Sequence, residues 1–310
     1  MTGESAVHVR AATRGSALAL WQSEHVAAAL VAAGRERDLD VTVELVVVET
    51  VADVRLDIPI WEMGGKGVFV KEVQAALLDG RADIAVHSAK DLPAITPEEL
   101  VVGAVPERAD ARDVLIGSTL AGLGVGALVA TGSVRRRAQL AWLRPDLTFV
   151  GLRGNIATRL AKADGVDAIV MAAAALDRLG LDLGDRTAEV LGPDVMVPQV
   201  GQGALAIECR ADDRTTLALL TALDHDTTRA AVEAERAFLA ELGGDCDLPA
   251  GAYATLEGGQ LTIEGLLASM DGHVVLRERR SVPVVEGPAT GRAVARHLLD
   301  DAGGSSLLTR

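Results

Sequence analysis

The chain has 310 residues, of which 49% are hydrophobic and 24% charged, so it is a globular protein long enough for two or three domains. A formal net charge of −14 and an aromatic content of 2% disfavour nucleic acid as a partner, because phosphate binding needs a basic surface and single strands need aromatic stacking platforms. Two cysteines form no disulfide framework and residues 1–10 lack a secretory-signal pattern, so we expect a cytoplasmic protein.

Short apolar strands alternate with helices over the first two thirds of the chain. Strands are predicted at residues 7–12, 41–48, 84–87, 101–105, 127–130, 147–151, 168–171 and 204–209. Helices are predicted at 17–33, 68–78, 133–143, 156–163 and 172–179, the first with Ser16 as its N-cap and Gly34 as its stop. The uncharged stretch 114–134 is rich in glycine, serine and threonine, which indicates loops rather than a membrane span. This alternation predicts the α/β fold class with mainly parallel sheets.

The last part of the chain has a different pattern. Helices are predicted at 228–242 and 290–300, with strands at 252–256, 260–266 and 273–279 joined by tight glycine turns. This is typical of a small α+β domain with an antiparallel sheet. We therefore predict domain 1 from residues 1–105 and 200–221, domain 2 from 106–199 and domain 3 from 222–310.

Three basic or polar clusters stand where a predicted strand ends and a helix begins. They are residues 13–16 (TRGS), residues 131–137 (TGSVRRR), and residues 153–155 (RGN) with Arg159. Helix N-termini present unpaired N–H groups, and arginine binds carboxylates through paired N–H groups, so together the clusters predict an anion-binding site. The alternative for each is a capped helix beside a solvated arginine, which is the interpretation we give to Arg137 and Arg144.

The segment His87–Pro93 follows a buried strand and places Lys90 beside Asp91. A carboxylate beside a cation stays charged, which suits a reaction that develops positive charge or transfers a proton. The alternative is a surface turn with a helix cap. His87 itself is interpreted as a structural hydrogen-bonding residue, and the scattered histidines and cysteines show no metal-site spacing.

The two cysteines differ in their surroundings. Cys246 lies in a glycine-rich loop that a ligand can reach, whereas Cys209 lies in an apolar strand and is interpreted as an inert core residue. Because two aspartates flank Cys246, the pattern does not favour simple thiolate catalysis.

The order of these motifs resembles that of the porphobilinogen deaminase family. The matching segments are residues 12–16 (ATRGS), 64–72 (GGKGVFVKE), 81–93 (RADIAVHSAKDLP), 152–155 (LRGN) with Thr158 and Arg159, 201–204 (GQGA) and 207–210 (IECR). The resemblance implies two α/β domains like those of periplasmic binding proteins with a cleft between them, and a small C-terminal α+β domain. It implies a monomer that condenses four porphobilinogen molecules head to tail, releasing ammonia, to give hydroxymethylbilane.

The resemblance also implies a role for individual residues. Asp91 matches the catalytic aspartate, with Lys90 beside it, and Cys246 matches the cysteine that holds a dipyrromethane cofactor through a thioether. The other residues implied to bind the cofactor are Ser88, Lys90, Asp91, Thr131, Ser133, Arg135 and Arg136. Those implied to bind substrate are Arg14, Ser16, Arg153, Arg159, Arg178 and Gln202. No metal is implied, and neither a nucleic acid nor a membrane is an expected partner.

Two alternatives stand beside this interpretation. The first is a non-catalytic module that binds anions on the same fold. The second is a divergent enzyme that loads its cofactor poorly or accepts another pyrrole, since Asp245 occupies a position where the family usually has a small residue.

Overall fold

The computed structural model describes residues 6–50, 70–243 and 248–308. The residues fall into two compact units, one from Met1–Arg108 and Ala204–Arg229, the other from Ala109–Gly203 and Ala230–Arg310. The division into three domains stays a prediction. Three predicted features lie outside the described residues: positions 64–69 of the 64–72 motif, the predicted helix start at Val68, and the loop cysteine Cys246.

The described strands and helices follow the predicted alternation. The strands are β1 (Ala6–Arg14), β2 (Asp40–Val48), β3 (Ile84–Ser88), β4 (Leu100–Ala104), β5 (Asp113–Ile116), β6 (Leu128–Ala130), β7 (Thr148–Val150), β8 (Ala168–Ala172), β9 (Ala188–Leu191), β10 (Leu205–Arg210), β11 (Ala250–Glu257), β12 (Gln260–Ala268) and β13 (Val275–Pro283). The α-helices are α1 (Ala17–Arg35), α2 (Lys71–Leu78), α3 (Val134–Leu143), α4 (Ile156–Ala161), α5 (Ala173–Leu179), α6 (Arg214–Leu220), α7 (Asp226–Glu241), α8 (Gly287–Arg296) and α9 (Ser305–Leu308). Short 3-10 helices cover Ala89–Asp91, Lys162–Gly165, Thr221–Leu223 and Val284–Glu286, and a π-helical turn covers His297–Asp301. None of the described helices combines the length and the low polarity that crossing a membrane requires.

The first unit is built on a sheet with the strand order β2-β1-β3-β10-β4. β1 runs parallel to β2 and β3, and β10 runs antiparallel to both of its neighbours. The β-branched runs in these strands pack against α1, where Val26 and Leu30 are buried beside Val9 and Ile84. Ser16 caps α1 as predicted, because its hydroxyl accepts a hydrogen bond from the backbone N–H of Ala19 at 3.3 Å.

The second unit contains a sheet with the equivalent order β7-β6-β8-β5-β9. β6 runs parallel to β7 and β8, and β5 runs antiparallel between β8 and β9. In both sheets, four of the five strands therefore point the same way, with one reversed strand in the fourth position. This confirms the predicted α/β class with mainly parallel sheets.

The C-terminal part of the second unit is a three-stranded antiparallel sheet, β11-β12-β13, covered by α7 and α8. Phe238 is its largest fully buried side chain and packs with Leu261 and Val294. The two helices pack closely because Gly291 has no side chain, and a Cβ there would overlap the carbonyl oxygen of Ala234. The predicted α+β character of this segment is confirmed.

Some predicted details are wrong. Gly34 does not end α1, which continues to Arg35; it is glycine because a Cβ there would overlap the Val41 side chain of β2. The first residues of 114–134 form β5 rather than a loop, and β9 and α6 had not been predicted. Arg144 is not simply solvated, because its guanidinium donates to Asp146 and to the carbonyl oxygen of Leu120 at 2.8 Å.

Candidate active site

Five of the predicted site residues lie at one edge of the first sheet. β1 and β3 are parallel neighbours, so their carboxyl ends, at Arg14 and Ser88, lie at the same edge. Ser16 follows Arg14 as the cap of α1, and Lys90 and Asp91 form the 3-10 turn that follows β3. The structure thus brings together two cations, two hydroxyls and one carboxylate.

The turn that carries Asp91 is held in place from two sides. Ser88 Oγ accepts a hydrogen bond from Gln22 Nε2 of α1 at 2.9 Å, and the backbone N–H of Ala89 donates to the carbonyl oxygen of Ala204 at 3.0 Å. Asp91 itself is half-buried, and no hydrogen bond to its carboxylate comes from residues 6–50, 70–243 or 248–308. As far as these residues are concerned, its oxygens are therefore available to accept a hydrogen bond from a ligand.

A buried polar cluster lies behind this turn. Glu208 of β10 is completely buried and accepts hydrogen bonds from Gln74 Nε2 of α2 at 2.9 and 3.1 Å. His87 Nε2 lies 3.2 Å from Glu208 Oε2. His87 is buried in this cluster, but its Nε2 makes no hydrogen bond with the described residues, so its role as a structural hydrogen-bonding residue stays a prediction. The cluster joins α2, β3 and β10 immediately before Ser88.

Removing the Glu208 carboxylate should lower the stability of this unit substantially. Glu208→Leu leaves the Gln74 amide buried without its acceptor and removes the carboxylate beside the buried His87 ring, so we expect the free energy of unfolding to fall by about 3 kcal/mol. Glu44→Leu is the matched control, because Glu44 Oε2 also lies 3.2 Å from a histidine Nε2, that of His8, but the side chains are 62% and 57% exposed instead of 0% and 4%. The control should cost less than about 1 kcal/mol in urea unfolding, and equal losses in the two variants would contradict this account.

The second sheet places Thr131 and Ser133 at an equivalent edge. Both follow β6, and the Ser133 hydroxyl caps α3 by accepting a hydrogen bond from the backbone N–H of Arg136 at 3.4 Å. The Ser133 backbone N–H donates to Thr131 Oγ1 at 3.2 Å. A Cβ at Gly132 would lie 2.7 Å from the carbonyl oxygen of Leu152, so glycine allows this turn to lie against the neighbouring chain.

Three further arginines lie near the ends of β7 and β8. Arg153 and Arg159 flank the start of α4, and Arg159 Nε donates to the carbonyl oxygen of Gly154 at 2.7 Å. Arg178 lies in the last turn of α5, and its Nη2 donates to the carbonyl oxygen of Gly203 at 2.8 Å. Burial lowers the pKa of the Arg178 guanidinium. All three side chains are half-buried.

Arg135 and Arg136 are buried, and both bind one carboxylate. Arg135 Nη2 lies 2.8 Å from Asp113 Oδ2, and Arg136 Nε and Nη2 lie 2.9 and 2.7 Å from Asp113 Oδ1. Gln202 is also buried, and its Nε2 donates to Asp113 Oδ1 at 2.9 Å and to the carbonyl oxygen of Ala111 at 2.7 Å. Sequence reasoning missed Asp113, which collects three of the predicted binding residues. We call Asp113, Arg135, Arg136 and Gln202 the Asp113 cluster.

The Asp113 cluster keeps its carboxylate charged although the residue is fully buried. Burial would raise the pKa of Asp113, but the charges of Arg135 and Arg136 and the hydrogen bonds from Gln202 and Arg135 outweigh it, and the pKa falls to about 2. Burial also disfavours the charged form of Arg135 and therefore lowers the pKa of its guanidinium. The cluster holds two cations and one anion.

The Asp113 carboxylate should make stability depend on pH in the acid range. The pKa of Asp113 is 3.8 in the unfolded chain and about 2 in the folded protein. Its contribution to the free energy of unfolding is therefore complete above about pH 4 and is lost as the pH falls through 2. The difference in free energy of unfolding between the wild type and Asp113→Asn should therefore shrink by about 2 kcal/mol between pH 5 and pH 2.

The control for this titration is Asp271→Asn. A hydrogen bond from Ser269 and one from the His273 backbone also lower the pKa of Asp271 to about 2, but this side chain is 59% exposed. Added salt should weaken the part of the Asp271 effect that comes from the charge of His273 and leave the Asp113 effect nearly unchanged, because buried charges are screened less. A wild type and Asp113→Asn difference that is constant with pH would contradict the assignment.

A small cavity opens beside the Asp113 cluster. Ser133, Arg135, Leu239 and Leu248 contribute to its wall, and Leu248 stands two positions after Cys246 in the sequence. Among the described residues, Arg135 Nε is buried with no hydrogen-bond partner. Arg135 Nε is thus a donor without an acceptor in a cluster with one excess positive charge, and it can donate to a carboxylate oxygen.

The other cysteine, Cys209, cannot attach a ligand. Cys209 lies in β10, is fully buried, and has its thiol pKa raised to about 11 by burial. It is therefore a protonated core residue at neutral pH, as predicted.

Known proteins resemble this chain over nearly its full length. The dipyrromethane cofactor-binding domain of porphobilinogen deaminase matches residues 9–218, and the C-terminal domain of the same family matches residues 229–300. The porphobilinogen deaminase of Nitratidesulfovibrio vulgaris (strain Miyazaki F) is 47% identical over 96% of this chain and 95% of its own. That of Roseiflexus sp. (strain RS-1) is 49% identical over 96% and 97%.

The chain is also similar to a solved TRAP periplasmic solute-binding protein from Desulfovibrio salexigens. The TM-score is 0.42 and the identity 11%, over 72% of this chain and 73% of that one. The two matched family domains and the identity of nearly half over almost the whole length are decisive: this chain belongs to the porphobilinogen deaminase family.

Proposed function

We propose that this chain condenses four porphobilinogen molecules head to tail into hydroxymethylbilane, releasing one ammonia at each addition, from a dipyrromethane cofactor bound at Cys246. The main support for the proposal is the Asp113 cluster, which has an excess positive charge and a buried Arg135 Nε without a partner among the described residues. Arg135 lines a cavity that Leu248 also lines. The buried, protonated Cys209 supports Cys246 as the attachment residue.

The arginines account for binding of the growing chain. Each pyrrole of porphobilinogen carries two carboxylates, so the product is a polyanion even though the protein is acidic overall. Residues proposed to bind these acid groups are Arg14, Lys90, Arg135, Arg136, Arg153, Arg159 and Arg178, with hydrogen bonds from Ser16, Ser88, Thr131 and Ser133. Gln202 is proposed to act through Asp113, because its amide N–H donates to that carboxylate.

The cofactor fits the residues at the edge of the second sheet. Thr131, Ser133, Arg135 and Arg136 would hold its carboxylates there, since the guanidiniums carry more N–H donors than their protein contacts use. When bound, the dipyrromethane supplies the pyrrole carbon to which the first substrate is joined.

Asp91 is proposed to be the catalytic carboxylate. Loss of ammonia from porphobilinogen leaves positive charge on the substrate pyrrole, and a fixed carboxylate stabilises that charge. The carboxylate oxygens of Asp91 would accept the pyrrole N–H and take up a proton when the new bond is formed. Lys90, one residue earlier, would bind an acid group of the same ring.

The proposal also includes the cellular location and the oligomeric state of the protein. We propose that the protein acts in the cytoplasm and that it is a monomer. Light scattering coupled to gel filtration would check the second point, since a monomer has a mass of 32.2 kDa.

The proposed function is tested by the stoichiometry of the reaction. Purified protein incubated with porphobilinogen should release one ammonia for each molecule consumed and yield one hydroxymethylbilane for every four. No consumption together with carboxylate binding would instead favour an anion-binding module. Consumption with an abnormal product would favour a divergent enzyme.

A further inference from the structure

The Asp113 carboxylate is closed to a ligand because the residue is fully buried and both of its oxygens already accept hydrogen bonds from the protein. It accepts hydrogen bonds from Arg135 Nη2, Arg136 Nε, Arg136 Nη2 and Gln202 Nε2 at 2.7 to 2.9 Å. The side chain is fully buried at the start of β5, opposite Ala172 of β8. Any influence of Asp113 on a bound group must therefore pass through the two arginines.

The remaining contacts of the arginines show what Asp113 fixes. Arg135 Nη1 donates to the carbonyl oxygen of Val197 at 2.6 Å, and Arg136 Nη1 donates to that of Val170 at 3.1 Å. Two adjacent guanidiniums repel each other when buried together, and the carboxylate between them offsets that repulsion. The one described acid in contact with both of them is Asp113.

We propose that Asp113 is a positioning residue for cofactor assembly: it orients Arg135 and Arg136 before any pyrrole binds and leaves the cluster one negative charge short of neutrality. A single cofactor carboxylate supplies that charge. This inference rests on the proposed function, because the arginines have an acid group to bind only if the protein holds the cofactor.

The charge count makes the role of Asp113 specific. With asparagine at this position the shape is nearly retained, but the buried cluster carries two positive charges, and one of the two acceptor oxygens is replaced by an NH2 group that faces a guanidinium. Displacement of a binding group by about 1 Å can lower a rate about a hundredfold. We therefore expect Asp113→Asn to load cofactor at least about tenfold more slowly than the wild type.

The test measures loading of full-length protein produced in cells that cannot make porphobilinogen. Each variant is incubated with porphobilinogen over a range of concentrations, and intact mass gives the fraction carrying two pyrrole units with time. Asp113→Asn should load slowly in its folded fraction, and Asp113→Glu, which restores the charge, should recover part of the rate. Asp110→Asn is the matched control, because Asp110 binds Arg112 outside the cluster and should load normally.

The outcomes separate this inference from the proposed function. A wild type that acquires no pyrrole units would refute the proposed function itself. A wild type that loads, with a folded Asp113→Asn that loads equally fast, would overturn only the role of Asp113. If Asp113→Asn does not fold, Asp113→Glu decides: a folded protein that loads more slowly than the wild type supports the inference, and equal loading overturns it.

Discussion

Replacing Asp91 with asparagine should lower the rate of porphobilinogen consumption about a thousandfold while leaving the fold intact. A carboxylate about 4 Å from a developing positive charge, at an effective dielectric constant near 20, is worth roughly 4 kcal/mol. If that interaction forms mainly in the transition state, its loss costs about three orders of magnitude in rate. The Asp91 side chain accepts no hydrogen bond from the described residues, so the substitution removes no contact within them.

The measurement is the single-turnover rate per loaded molecule, with the loaded fraction taken from intact mass. Normalising in this way separates a slow chemical step from poor cofactor loading. Asp79→Asn is the matched control, because Asp79 is an exposed aspartate of the same unit whose carboxylate contacts Arg81. Near-normal turnover in Asp91→Asn, or an equal loss in Asp79→Asn, would refute the catalytic role.

Replacing Cys246 with serine should abolish both the covalent mass increase and the synthesis of hydroxymethylbilane. Serine is nearly isosteric, but its hydroxyl cannot form the thioether through which the proposed priming group is held. Without a tethered acceptor, the condensation has no starting pyrrole on the protein. We expect intact mass to show only the unmodified chain and product formation to fall to the background rate.

The other cysteine provides the control for this substitution. Cys209→Ala removes a thiol that is buried in β10 and has a pKa of about 11, so the variant should lose some stability and keep its cofactor. A Cys246→Ser protein that still carries two pyrrole units, or a Cys209→Ala protein that loses them, would show that the attachment residue is wrongly assigned.

The parts of the site that were predictable depend on local chemistry. Ser16 and Ser133 were placed at helix starts because serine caps a helix through its own hydroxyl, and both do so in the structure. Lys90 and Asp91 were placed directly after a buried strand, and they form the turn that follows β3. Strand, turn and cap signals act over a few residues, so the sequence carries them directly.

Asp113 could not be found in the same way. It stands between Arg112 and an apolar strand, and a carboxylate beside an arginine normally indicates a surface pair. Its partners Arg135, Arg136 and Gln202 are 22, 23 and 89 positions away and meet it only because β5 is inserted antiparallel beside β8. A single sequence gives no sign of that pairing.

Gly34 shows the same limit for backbone geometry. A glycine after a helical run is the usual stop signal, yet this one lies inside α1 because β2 approaches it closely. The left-handed residue that follows the helix is Asp38, with a φ of 54°. Close approach between elements that are far apart in the sequence depends on the tertiary fold, so helix propensity does not predict it. Capping, in contrast, depends on neighbouring residues.

The attachment of the cofactor is tested most directly by peptide mapping of the purified wild-type protein. Trypsin should release Cys246 within residues 237–277 and Cys209 within residues 187–210, so the two sites are distinguished by mass alone. The account predicts two pyrrole units on the peptide that contains Cys246 and none on the other. An unmodified 237–277 peptide in a protein that nevertheless makes hydroxymethylbilane would contradict it.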